Sequence, residues 1–250
     1  MTRLSDHEPH RAAEPLQHHE REQPDTSSLL RVLFTTTAAT GHFQPLVPFA
    51  RALRAAGHTV TFATTPDFVA TIEASGFPCS AVGVPTSPKG VMDATGIDLS
   101  RLSPEEVNLV AWQWFFLGEH KRREIDELLA LIAAWQPDLI VREETEVAGC
   151  VAAERVGLPH AAVQIVARGL PPAVRTATPL RLNALRTAVG LPPDPELESW
   201  ARYLVLSPFP PSLQWADAVG SDQASCCASF VTTPRPILYD QRLNLVPDRL

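Results

Sequence analysis

Two short stretches of the chain bring together side chain types that can move a proton. One is Thr36-Thr37-Ala38-Ala39-Thr40-Gly41-His42-Phe43-Gln44-Pro45, and the other is Arg142-Glu143-Glu144-Thr145-Glu146. Each follows a short apolar run with strand character. In an open α/β sheet, ligands bind beyond the carboxyl ends of the strands, which is where both stretches fall. An imidazole against a carboxylate has its tautomer fixed and its basicity raised. The reading therefore expects His42 to meet Glu143, with Glu144 as the alternative partner. Plainer roles stay open at this point. A histidine near a helix start often only packs a loop, and both glutamates suit solvent or the positive end of a following helix.

Other chemistries find less support. The first stretch holds a single glycine, Gly41, where a dinucleotide loop of the G-x-G-x-x-G type needs three, so no nicotinamide or flavin cofactor is expected. Four of the eight histidines (His7, His10, His18 and His19) lie in a polar leader, and no H-x-x-x-H falls on an apolar helix, so no metal is expected. Cys79, Cys150, Cys226 and Cys227 form no C-x-x-C pair and read as reduced thiols of a cytoplasmic protein. A net charge of −7 gives the chain no drive toward nucleic acid or an anionic membrane. No apolar run approaches the roughly 18 to 20 residues that span a bilayer, and the N-terminus lacks the pattern of a secretory signal. The aromatic residues Trp112, Trp114, Phe115 and Phe116 default to core packing. Four in five positions cannot all face one core, so at least one is expected on an apolar pocket.

The elements that would position these residues follow from periodicity. The chain has 250 residues, 45% hydrophobic and 20% charged, enough for one substantial α/β core plus a tail. Residues 1–28 are polar and are expected to be a disordered leader. A strand is expected at 29–34, then a helix over 45–56 with Leu46, Phe49, Ala50 and Leu53 on one face and Gly57 beyond its end. A strand at 59–63 follows, then a helix capped by Thr65 and begun by Pro66, with Phe68, Val69 and Ile72 buried, and a strand at 79–82. After a long loop, Ser103-Pro104-Glu105-Glu106 is a capping box opening a helix. A second helix spans 121–135 through Ile125, Leu128, Leu129 and Ile132. Further strands are expected at 139–141, 161–166, 203–206 and 237–239, with helices at 146–156, 179–189 and 195–201 and a loose connection at 220–233. Strand and helix alternating at this spacing predict a parallel sheet with right-handed crossovers.

The residues also carry a specific resemblance. The segment from Gly41-His42-Phe43-Gln44-Pro45 to Arg51-Ala52-Leu53, followed by Ala56-Gly57-His58-Thr59-Val60-Thr61-Phe62-Ala63-Thr64, resembles the opening of bacterial antibiotic-type glycosyltransferases of the GT-B class. Pro137-Asp138-Leu139-Ile140-Val141-Arg142-Glu143, with Ala148-Gly149 and Ala152-Ala153-Glu154, matches a second family segment, and Pro210-Pro211-Ser212-Leu213-Gln214 with Arg235-Pro236 a third. The resemblance implies a Rossmann-like parallel sheet flanked by helices, the N-terminal, acceptor-binding half of a GT-B fold, over residues 29–240. Residues 241–250 would be a tail or a truncated interdomain linker. It implies His42 as general base on an acceptor hydroxyl, with Glu143 as its partner where relatives usually have aspartate. Thr40, Gly41, Phe43, Trp112, Phe115 and Phe116 would line a site for a hydrophobic small-molecule acceptor. The reaction would invert the sugar and displace a nucleoside diphosphate.

The donor half of the family pattern is not matched. Its tryptophan-glutamine and His-Cys-Gly-type segments are absent, and the ten residues after Asp240 fall far short of a second domain of ~150 residues. The nucleotide-sugar donor would be a co-substrate whose main site lies outside this chain, which is expected either to be truncated or to need a separate donor-binding chain, and the chain alone is expected to show negligible transfer. Two other readings compete: a non-catalytic acceptor-binding module of a secondary-metabolite pathway, and the product of a decayed reading frame with an exposed apolar face.

Overall fold

Runs such as Val32-Leu33-Phe34, with every side chain buried, suit a strand covered on both faces. The computed structural model describes residues 29–86, 92–93, 96–165 and 172–209, giving the backbone alone for 105, 108, 109, 111 and 172–177. The leader at 1–28, the connection at 220–233, the strand expected at 237–239, the tail at 241–250, the third family segment, Cys226 and Cys227 lie outside the described residues.

Six strands form one sheet: β1 (Arg31–Thr35), β2 (Thr59–Thr64), β3 (Cys79–Ala81), β4 (Leu139–Glu143), β5 (His160–Val163) and β6 (Leu204–Leu206). All pairs are parallel and the order is β3-β2-β1-β4-β5-β6. The chain builds outward from β1 through β2 to β3, then returns to place β4 on the other side of β1. The boundary between β1 and β4 is therefore the topological switch point, where the connecting loops diverge and leave a crevice.

Helices cover both faces. On one face Val32, Phe34, Phe62, Val141 and Val163 pack against Phe43, Leu46, Ala50 and Ile72. These come from α1 (Thr40–Phe43), a 3₁₀ turn (Gln44–Leu46), α2 (Val47–Ala55) and α3 (Val69–Ala74). On the other face Leu33 and Ile140 pack against Ile125, Leu128, Val147, Val151 and Leu182. Those side chains come from α5 (Lys121–Trp135), α6 (Val147–Val156) and α7 (Pro172–Ala188), preceded by α4 (Pro104–Ala111) and a π-helical turn (Trp112–Phe116). Arg31 ties the lower edge together: its guanidinium donates to the Trp135 carbonyl at 2.6 and 2.9 Å, and its amide donates to Asp138 at 2.7 Å.

Several elements differ from the sequence expectation for identifiable reasons. The helix expected at 45–56 begins five residues earlier as α1, then passes through the 3₁₀ turn into α2, because Pro45 and Pro48 each open a new segment rather than continuing a ladder. Thr65 caps no helix. Its hydroxyl binds Asp67 at 2.6 Å, α3 begins only at Val69, and Phe68 and Val69 are half-buried. The helix expected to start at Pro179 starts at Pro172 and carries Pro179 inside it. The capping box is present as read: Ser103 Oγ accepts from the Glu106 amide at 3.3 Å, and Glu106 accepts from the Ser103 amide at 2.9 Å.

Candidate active site at the switch point

Strand alternation decides which way Glu143 points. In β4, Leu139 and Val141 face the α1–α2 side and Ile140 faces the α5–α6 side. The period of two places Glu143 with Leu139 and Val141, on the face that carries α1. His42 sits in α1, whose backbone turn is closed by the His42 and Phe43 amides donating to the Ala39 carbonyl at 3.0 Å each. The result is a contact of 3.0 Å between His42 Nδ1 and Glu143 Oε1.

Glu143 is fully buried, yet every lone-pair direction has a donor. Oε1 accepts from Thr37 Oγ1 at 2.8 Å as well as from His42, and Oε2 accepts from the Thr145 amide at 2.6 Å. The Thr145 hydroxyl lies 2.9 and 2.7 Å from the two oxygens. Burial pushes the Glu143 carboxyl up, but the hydrogen bond and charge of His42, with both Thr145 donors, outweigh it and hold the group below its ordinary value. Thr145 Oγ1 also lies 3.2 Å from His42 Nδ1. These partners are acceptors for an Nδ1 proton, so the neutral ring carries its hydrogen on Nδ1 and its lone pair on Nε2. The side chain of His42 stays 21% exposed. Phe116 stacks on the ring with centroids 5.5 Å apart and planes inclined by 28°.

The remaining expected site residues separate into two groups. Thr40 and Gly41 are exposed beside His42, and a Cβ added at Gly41 would meet nothing within 4 Å. Phe115 and Phe116 are half-buried. Phe43 and Trp112 lie in the core. Phe43 is 1% exposed and meets Phe62 and Phe68 edge-on, because it lies three residues before Leu46 on the same apolar stripe. Trp112 is buried and its Nε1 donates to Thr178 Oγ1 at 3.2 Å. Glu144, the alternative partner, instead accepts from the Ile165 amide at 2.9 Å.

Several residues around the dyad were not singled out in the sequence. Arg142, fully buried on the opposite face of β4, donates to the carbonyls of Glu144 at 2.9 Å and of Trp200, which pins the backbone that carries Glu143 and Thr145. Glu146 caps α6 by accepting from the Gly149 amide at 2.8 Å and also receives the Thr35 hydroxyl. Lys121 and Glu124 form a buried ion pair of 2.7 Å at the start of α5. Burial pushes Glu124 up to about 7 against the opposing charge of Lys121. For Lys121, burial is outweighed by the Glu124 and Glu146 carboxylates, which hold its ammonium above the ordinary value. The available signal was position: Lys121 and Glu124 stand four residues before Ile125 and Leu128, on the buried stripe.

A doubly wound sheet with a His–Glu contact at its switch point defines a Rossmann-like α/β unit. The family described as erythromycin biosynthesis protein CIII-like, N-terminal domain, matches residues 51–226, and the chain belongs to that family. His42 lies just before the matched span and Glu143 within it. The chain is 35% identical over 130 residues to L-demethylnoviosyl transferase of Streptomyces niveus, an alignment covering 52% of this chain and 33% of the relative. It is 36% identical over 151 residues to aklavinone 7-beta-L-rhodosaminyltransferase of Streptomyces galilaeus, covering 53% of this chain and 34% of the relative. Among solved structures, the SsfS6 glycosyltransferase of Streptomyces sp. SF2575 superposes with a TM-score of 0.57 at 26% identity, covering 73% of this chain and 51% of that one. The glycosyltransferase VinC, in complex with dTDP, gives a TM-score of 0.52 at 25% identity over 72% of this chain and 51% of that one. The chain thus spans about a third of the length of these curated relatives and about half of these solved chains. The fold class expected from sequence, the Rossmann-like half of a GT-B glycosyltransferase, is the one present. Among the described residues no helix is long and apolar enough to cross a membrane, and no group of three His, Cys, Asp or Glu side chains could hold a metal ion.

Proposed function

We propose that this chain is the acceptor-binding half of an inverting sugar transferase acting on a hydrophobic natural product, with His42 as general base and Glu143 as the group that orients it. The observation that carries the reading is the 3.0 Å contact between His42 Nδ1 and Glu143 Oε1 at the switch point. With Nδ1 engaged, Nε2 takes the proton of an acceptor hydroxyl as that oxygen bonds to the anomeric carbon. The bond from that carbon to the nucleoside diphosphate breaks on the opposite side, and the diphosphate leaves with the electron pair. The buried Glu143 carboxylate stabilises the imidazolium that forms. Exposed Thr40 and Gly41, with half-buried Phe115 and Phe116, are assigned to the acceptor side of the crevice.

The donor grip belongs to a second unit. Nothing in the site described offers a nucleoside diphosphate a cationic clamp: the start of α6, a natural anion site, is occupied by the chain's own Glu146 carboxylate. The test combines the full chain with a separately expressed nucleotide-sugar-binding domain of a relative, a dTDP-sugar and a panel of polyketide aglycones. Sugar transfer that appears only when both proteins are present, and that is lost with His42→Ala, supports the reading. Tight aglycone binding with no transfer under any pairing would replace it with the non-catalytic module.

A further inference from the structure

Glu143 is held by more than the histidine it serves. Its side chain is fully buried, so its oxygens depend on the donors gathered around them. Those donors come from two loops. Thr37 follows β1 and gives a hydroxyl at 2.8 Å, while Thr145 follows β4 and gives an amide at 2.6 Å and a hydroxyl at 2.7 Å. The Thr145 hydroxyl also stands 3.2 Å from His42 Nδ1. When its single proton is donated to Glu143, its lone pairs face the Nδ1 hydrogen. Thr145 therefore touches both members of the dyad, and Thr37 touches only the acid.

We propose that Thr145 and Thr37 are positioning residues of the dyad, whose hydroxyls keep Glu143 ionised, aim its Oε1 at His42 and hold the imidazole proton on Nδ1. The inference rests on the reading of His42 and Glu143 as a catalytic pair. The donors matter because a glutamate without them has side chain torsions that can carry its oxygens off the histidine. The charged groups that interact electrostatically with Glu143 include His42 from α1 and Lys121 from α5. The threonine hydroxyls are the only donors to Glu143 among the described residues that a side-chain substitution removes without altering any of these charges.

The test follows the Glu143 carboxyl carbon and the His42 ring nitrogens by NMR in the full chain, labelled with ¹³C-glutamate and ¹⁵N-histidine, across pH. Thr145→Val removes the hydroxyl and keeps the amide and the shape, so the Glu143 midpoint is expected to rise by about one unit. The neutral His42 ring is expected to shift from the Nδ1–H form toward a mixture. Thr145→Ser restores the hydroxyl and is expected to titrate with the wild type. Thr37→Val is expected to raise the Glu143 midpoint while leaving the His42 tautomer in place. The proposal is overturned if Thr145→Val leaves both signals unmoved in a folded chain, or if Thr145→Ser moves them as far as valine does. Should Thr145→Val not fold, Thr37→Val decides, and an unmoved Glu143 midpoint there overturns the proposal. None of these readouts needs sugar transfer, so they separate this inference from the transferase reading, whose own failure would appear in the activity of His42→Ala.

Discussion

Glu143 reaches Nδ1 of His42 at 3.0 Å although 101 residues separate them in the chain. The contact is a product of topology. β1 and β4 are hydrogen-bonded neighbours, with Thr35 opposite Arg142, so the residues just beyond the two strand ends share one edge of the sheet. The pleat then turns Glu143, rather than Arg142 or Glu144, toward α1. His42 thus meets a carboxylate without a single long-range loop having to fold over it.

The first prediction concerns His42 itself. Beside a working donor domain, His42→Ala is expected to lower turnover by ~100-fold or more while leaving the fold intact, since the ring is partly exposed and its loss opens no core cavity. Steady-state transfer to an aglycone, measured with circular dichroism on the same sample, checks both halves. Turnover within a few fold of the wild type would remove His42 from the chemistry.

How much of this site was legible in the sequence depended on what each residue's neighbours were. His42 and Glu143 could be named because one follows a strong apolar strand and the other ends one, at the sheet edge where ligands of α/β folds gather. The hydroxyls of Thr37 and Thr145 could not, because threonine near a strand end satisfies many loops and only the three-dimensional register shows what it donates to. The burial of Phe43 and Trp112 was not read from the sequence, because proximity to the candidate chemistry drew attention away from their packing. The prolines at 45 and 48 hid α1, since a helix broken into three segments loses the long periodicity by which helices are recognised.

Lys121 and Glu124 lead to a stability prediction. Both side chains are almost fully buried and 2.7 Å apart. Lys121→Met leaves Glu124 without its partner and is expected to cost about 3–5 kcal/mol, the usual penalty for stranding one buried charge. The double variant Lys121→Met/Glu124→Leu removes both charges and is expected to recover most of that loss. Urea unfolding of the two variants checks the pair, and a double variant no more stable than the single one would refute the account.

Gly149 tests the packing between β1 and α6. A Cβ added there would collide with Thr35 Oγ1 and with Glu146 Oε2, the groups that form the cap of α6. Gly149→Ala is expected to destabilise the chain by roughly 1–3 kcal/mol despite alanine's higher helix propensity, because the cost of overpacking exceeds the gain of about 1 kcal/mol from propensity. Thermal unfolding read against the wild type measures it. A stabilised variant would mean that the Thr35–Glu146 contact yields easily.

His160 gives the pH dependence. Its ring is 2% exposed at the start of β5, with Nε2 3.3 Å from Glu154 Oε1. Burial, followed by the charges of Arg142 and Arg202, pushes its pKa down to about 3. An unfolded histidine titrates near 6.5. Between those two values the unfolded chain binds a proton that the folded chain refuses, so acidification favours unfolding. The stability involved is fully present above about pH 6.5 and is lost as the pH falls through the window, at up to about 1.4 kcal/mol per unit. His160→Gln keeps a donor for Glu154 and abolishes the titration. Urea unfolding at pH 7, 6 and 5 should therefore give a variant whose stability falls less steeply than the wild type's, with the gap closing by about 2 kcal/mol between pH 7 and 5. Carboxylates titrate in both proteins and cancel in the difference. Parallel profiles would show that His160 takes up its proton as readily in the folded chain as in the unfolded one, and that the buried site relaxes to admit the charge.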